Sequence, residues 1–154
     1  MPDYIALKNS LTTTYANLSD AQIVTTCNTP NINISVDIQM SDVLMYFGVR
    51  GMLPTIKNWA TTAPSNTTPE AVAAAQSFGL IIGPPAMFDT LQMSNTQVNM
   101  SITGMIDALV GANLITSNIA TDILNMSVVT TSQASLWGWT NGITENDIVA
   151  ARLM

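Results

Sequence analysis

Glu145 and Asp147 form the closest pair of carboxylates in the sequence. Two carboxyl groups held together can divide general acid and general base work when their environments push their pKa values apart. Both acids, however, follow Thr144 within one helical turn, where carboxylates complement the helix dipole and cap free N–H groups. Capping is the stronger reading. The chain has one cysteine, Cys27, and no histidine. A Cys–His nucleophile is therefore excluded, and the commonest general base and metal ligand are missing. A Ser–Lys pair would need Lys8 or Lys57 buried against a hydroxyl, and no spacing brings them to one. The ten methionines are scattered along the chain with no clustered pattern and read as core filler. Neither a glycine-rich phosphate loop nor a calcium loop is present. No catalytic, cofactor-binding or metal-binding residue is expected, and no cofactor.

Two stretches could instead make contact with a partner. Ile32, Ile34, Val36 and Ile38 alternate with Asn33, Ser35 and Asp37, the only clean run of period two. A lone strand cannot satisfy its own backbone groups. Its partner must be another chain, another copy, or a loop such as the one near Val128–Val129. Trp137 and Trp139 flank Gly138 at a corner, and aromatic residues near a turn can anchor an interface. The alternative places Trp137 in the core and leaves only Trp139 partly exposed.

The elements that would carry these residues are mostly short helices. In residues 99–126, Ile102, Met105, Ile106, Leu109 and Val110 make one apolar stripe, and Ile115, Ile119 and Ile123 make another. Gly111 and Asn113 tolerate the left-handed backbone between them, and Thr116 can cap the second helix. This predicts a central helical hairpin on which the rest packs. Leu7 and Leu11 mark a helix over 3–13. Leu18-Ser19-Asp20-Ala21-Gln22-Ile23 carries a capping box and staple, and that helix stops before Thr29-Pro30. Met40-Ser41-Asp42 suggests the same start, with Ser41 as cap and Met40 stapled to Met45. Pro54 fits the first turn of a helix holding Leu53, Ile56 and Trp59. Residues 61–67 read as a polar linker. Thr68-Pro69-Glu70 starts a helix whose alanines allow close approach, stopped by Gly83-Pro84-Pro85. A short helical turn is expected around Met87, Phe88 and Leu91. Thr131 or Ser132 can cap a short helix to Trp137, and Thr144 a last one with Ile143 and Ile148 as staple. The fold class is mainly α: a single domain over 1–154, a compact bundle around the hairpin, with one extended segment or strand near 32–38.

Composition bears on partners. Apolar residues make up 47% of the 154 and charged ones 9%, against a usual charged share of about 25%. The surface must be largely Ser, Thr, Asn and Gln. That suits a chain packed against other subunits, although genome base composition gives the same bias. The net charge of −6 comes from ten scattered acids and four bases, too few bases for a phosphate-binding face, so direct nucleic-acid binding is not expected. No signal peptide and no membrane-spanning run are expected. The Asn-x-Ser/Thr sequons at Asn17, Asn33, Asn66, Asn99 and Asn125 read as chance matches in so Asn- and Thr-rich a chain.

Several of these stretches, taken in order, carry a resemblance. They are Asp3-Tyr4-Ile5-Ala6-Leu7-Lys8, Leu18-Ser19-Asp20-Ala21-Gln22, Met40-Ser41-Asp42-Val43, Met105 through Thr116, and Ile143 through Arg152. In order and spacing the chain resembles small structural proteins of tailed bacteriophages and prophages. It departs from them in having fewer charges, and in Trp137-Gly138-Trp139 where the family is more acidic. The resemblance implies a virion component, not an enzyme, and leaves head, neck or tail open. Within that class the favoured reading is a capsid-associated cement or decoration protein, made in the host bacterial cytoplasm. Its partners would be other phage virion proteins (major capsid, neck or tail subunits), with a homo-oligomer left open, and no nucleic acid or membrane. A neck, connector or tail protein, or a helical adaptor module of cellular origin, are the alternatives.

Overall fold

Helical periodicity and caps dominate the sequence, and helices dominate the computed structural model, which describes residues 1–65, 67–83 and 88–154. In chain order the elements are α1 (Tyr4–Thr12), α2 (Asp20–Asn28), β1 (Ile32–Ser35), β2 (Ile38–Gln39), α3 (Met40–Val49), α4 (Leu53–Trp59) and α5 (Pro69–Ile82). They continue with β3 (Thr90–Leu91), α6 (Thr96–Gly111), α7 (Ser117–Asn125), β4 (Val128–Thr131), α8 (Gln133–Leu136) and α9 (Glu145–Leu153). Where a single domain is expected over 1–154, the chain divides into two compact units, Met1–Ile34 with Thr130–Met154, and Ser35–Val129.

In the first unit, α1 packs on α9, and α2 on α8 and α9. The starts of these helices are set by side chains. Ser19 and Gln22 close a capping box on α2, and Thr144 and Asp147 close one on α9. Asp3 caps α1 and Ser132 caps α8. Leu7, Leu11, Ile23, Cys27, Trp139, Ile143 and Ile148 form the core with Ala134 and Ala151. Thr29, ahead of Pro30, leaves the helical region as the proline requires (φ −71°, ψ 122°).

The second unit contains α6 and α7, the expected hairpin, but the rest of the chain does not all pack on it: the first unit has a core of its own. At the hairpin corner Asn113 takes φ +56° and Thr116 accepts the Ile119 N–H, as read, whereas Gly111 stays in α6 and is not left-handed. Ile102, Ile106, Leu109, Ile115 and Ile123 enter a core that also holds Phe47, Ile56, Phe78 and Ile82. Phe47 meets Phe78 edge-on with ring centroids 5.8 Å apart. Helix α5 lies between α4 and α6. Its close approach to α4 rests on Gly79: a Cβ there would stand 2.5 Å from the Ala60 nitrogen and 2.7 Å from the Ile56 oxygen. The expected alanine face contributes buried Ala71 and Ala75, but the glycine sets the distance.

Three local expectations are corrected. Ser41 caps nothing: β2 runs straight into α3, which begins at Met40, and Asp89 O accepts the Met40 N–H at 2.9 Å. The Met40–Met45 staple is not made, because Met40 is buried while Met45 is 64% exposed. The helical turn expected around Phe88 and Leu91 is instead strand β3, antiparallel to β2 with Ile38 opposite Leu91; Met87, like Pro84 and Pro85, lies outside the described residues.

Candidate functional site

The alternating run at 32–38 forms two strands, β1 and β2, not one. Its backbone partners lie within the chain: β1 pairs with β4 and β2 with β3. Asn31 N–H donates to Thr131 O at 3.1 Å, and Val36 N–H to Ser127 O at 2.7 Å. Of the three partners open to this segment, the loop around Val128–Val129 is the one found, so no second chain is needed to satisfy β1. Ile32, Ile34 and Val36 are half-buried, whereas Ile38 is buried in the second unit and has no face left for a partner. Asp37, at the junction of β1 and β2, accepts from the Ser94 hydroxyl and backbone N–H, which hold its carboxyl below the usual range.

The tryptophans are placed in the reverse of the expected order. Trp139 is 6% exposed and sits against Tyr4, with centroids 5.0 Å apart, while Trp137 is half-buried. Gly138 between them takes φ +88°, and a Cβ there would lie 2.9 Å from Met1 O. That left-handed step turns Trp139 inward and leaves Trp137 at the end of α8, its carbonyl accepting the Asp3 N–H at 2.7 Å. Trp137, not Trp139, is the one that can meet a partner.

Asp147 does the work of a cap. Its carboxylate accepts from the Thr144 N–H and hydroxyl at 2.8 and 2.7 Å, and from the Tyr4 hydroxyl at 2.7 Å. The Thr144 hydroxyl first and the Tyr4 hydroxyl second hold the Asp147 pKa down to about 2. Each favours the ionised form, the opposite of what a general acid needs. Cys27 is fully buried, and that burial pushes its thiol up; the Tyr15 phenol beside it is pushed up to about 12, chiefly by burial. Among the described residues no three His, Cys, Asp or Glu side chains come together as a metal site. No helix of the described residues is long and apolar enough to cross a membrane.

An exposed apolar face that the sequence reading missed lies on α3. Met40, Val43 and Phe47 face the core, and the opposite face leaves Met45 64% and Val49 76% exposed. Together with half-buried Met126 they floor a shallow depression of about 340 Å³, edged by Asp42, Tyr46 and Arg50. The Arg50 guanidinium lies 3.5 Å above the centre of the Tyr46 ring, and Asp122 of α7 accepts the Tyr46 hydroxyl at 2.7 Å. The Arg50–Asp122 pair itself is long, 3.5 Å, and solvent-exposed at both ends. The signal was present in the sequence: Met45 and Val49, four apart, form a second apolar stripe beside the core-facing one. The staple reading assigned Met45 elsewhere.

Compared with protein-family models, with curated proteins and with solved structures, the chain matches none of them.

Proposed function

We propose that the protein is a non-enzymatic structural component of a tailed-bacteriophage particle, a capsid-associated accessory protein that cements or decorates the shell by binding other virion subunits. The observation that carries this reading is the surface itself. Exposed Met45, Val49, Val129, Val149 and Leu153 stand on a chain with only 9% charged residues. A freely diffusing monomer keeps its distance from neighbours through mixed charge, whereas apolar side chains among neutral polar ones suit a protein held against others. The family resemblance of the sequence supplies the virion as the setting. Strand addition by residues 32–38 no longer supports it, since β1 and β2 have partners of their own. Contact would be made by side chains, with Trp137, Ile32, Ile34 and Val36 as half-buried contributors.

Particles purified from the source culture, separated into heads and tails and analysed by mass spectrometry, test the proposal. The chain is expected with the heads, in many copies. Recovery with tails or necks alone would move it to the connector or tail alternative, and absence from particles would defeat the virion reading.

A further inference from the structure

The proposed function needs contact with other proteins; it does not need the chain to meet a copy of itself. The outward face of α3 points to that second contact. Asp42 stands four residues before Tyr46 and Arg50 four residues after it, with Met45 and Val49 exposed between them. Among the described residues Asp42 makes no ion pair or side-chain hydrogen bond, while Arg50, stacked on the Tyr46 ring and in a long pair with Asp122, keeps its side chain 40% exposed. A helix carrying an acid and a base at equal distances from one central residue is complementary to itself when turned by a two-fold axis. In the antiparallel pair, Asp42 of each copy meets Arg50 of the other, and the exposed Met45 and Val49 side chains of both copies close over the shallow floor at Met126.

We propose that α3 is a two-fold self-association surface, its occupant the α3 of a second copy of this chain. Charge sets the antiparallel register, and the apolar side chains supply the burial. The size of the surface sets the strength. A ten-residue helix is about 15 Å long, and stable interfaces bury about 800 Å² per partner. One helix face falls short of that, so the pair forms weakly in dilute solution and strongly only where copies are already crowded together.

Sedimentation equilibrium from low micromolar to about 1 mM tests it, with the parent chain and two single variants, Asp42→Arg and Arg50→Asp. The parent mass is expected to rise toward the dimer with concentration. Each variant alone sets like charges against each other twice and weakens association on the order of tenfold. Mixing the two variants makes both contacts attractive again, so the mixture regains the parent's mass while neither variant does alone. Met45→Lys is expected to abolish association with unchanged circular dichroism, its side chain being 64% exposed. A parent that stays monomeric throughout, or a mixture no better associated than its components, overturns the proposal and leaves the virion reading untouched.

Discussion

Asn28 and Ile143 are joined by two hydrogen bonds: the Asn28 amide donates to Ile143 O at 2.9 Å, and Ile143 N–H donates to Asn28 Oδ1 at 2.8 Å. The side chain at the end of α2 thus does for one residue what a neighbouring strand would do. It fixes the approach to α9, where Ile143 is buried. Gly142 makes room for it, with φ +79° and an added Cβ only 2.7 Å from Asn28 Oδ1. Asn28→Ala should cost about 2 kcal/mol, since two partly buried backbone groups lose their partners. Asn28→Asp should not restore this, because its second oxygen would face the Ile143 carbonyl. Urea midpoints measure both, and an alanine variant within about 0.5 kcal/mol of the parent would show the pair to be dispensable.

Acid should weaken the first unit through Asp147. Its folded pKa of about 2 lies below the ordinary carboxylate value, so the stability it contributes is present above roughly pH 4. That contribution is lost as pH falls from there toward 2. Tyr4→Phe removes one of the hydroxyls holding the carboxylate, so Asp147 in the variant should titrate at higher pH. Carboxyl chemical shifts of Asp147 followed through the titration read this directly; an unmoved midpoint would assign the depression to Thr144 and Trp139 without Tyr4.

Two glycines in helices should respond in opposite senses. Gly79→Ala drives a methyl group into the backbone of α4 at Ala60 and Ile56, which cannot move aside as a side chain would, and should cost about 3 kcal/mol. Gly104→Ala in α6 meets nothing within 4 Å and should gain about 0.5–1 kcal/mol from lower chain entropy in the unfolded state. Thermal unfolding of the pair settles it. A harmless Gly79→Ala would mean that α4 and α5 do not pack at this distance in solution.

Cys27 should resist labelling in the native protein. It is fully buried in the core formed with Leu7, Leu11 and Ile23, and burial raises its pKa. A thiol reagent at neutral pH should modify it only as fast as the first unit opens, with the rate rising steeply in denaturant. Immediate labelling without denaturant would show that this core is open.

The sequence alone determined what is decided within a few residues. Ser19 with Gln22, Thr68, Thr116 and Thr144 fix helix starts because a side chain reaches only the N–H groups two or three positions on. Leu7 with Leu11, and Ile102 with Ile106 and Leu109, fix buried faces because a helix repeats every 3.6 residues. Asn113 fixes the hairpin corner because few side chains accept a left-handed backbone. Tertiary structure decided what depends on distant chain. It gave β1 its partner in β4, almost a hundred residues on, and gave β2 the β3 strand that also displaced the cap from Ser41. Contact with Met1 at Gly138 decided which tryptophan is buried. The backbone of α4 against Gly79, and the core behind α3, decided where helices approach and which stripe of α3 faces outward. Spacing along the chain records none of these, because many distant segments can offer equivalent backbone groups and apolar area. The choice among them is made only when all are packed at once.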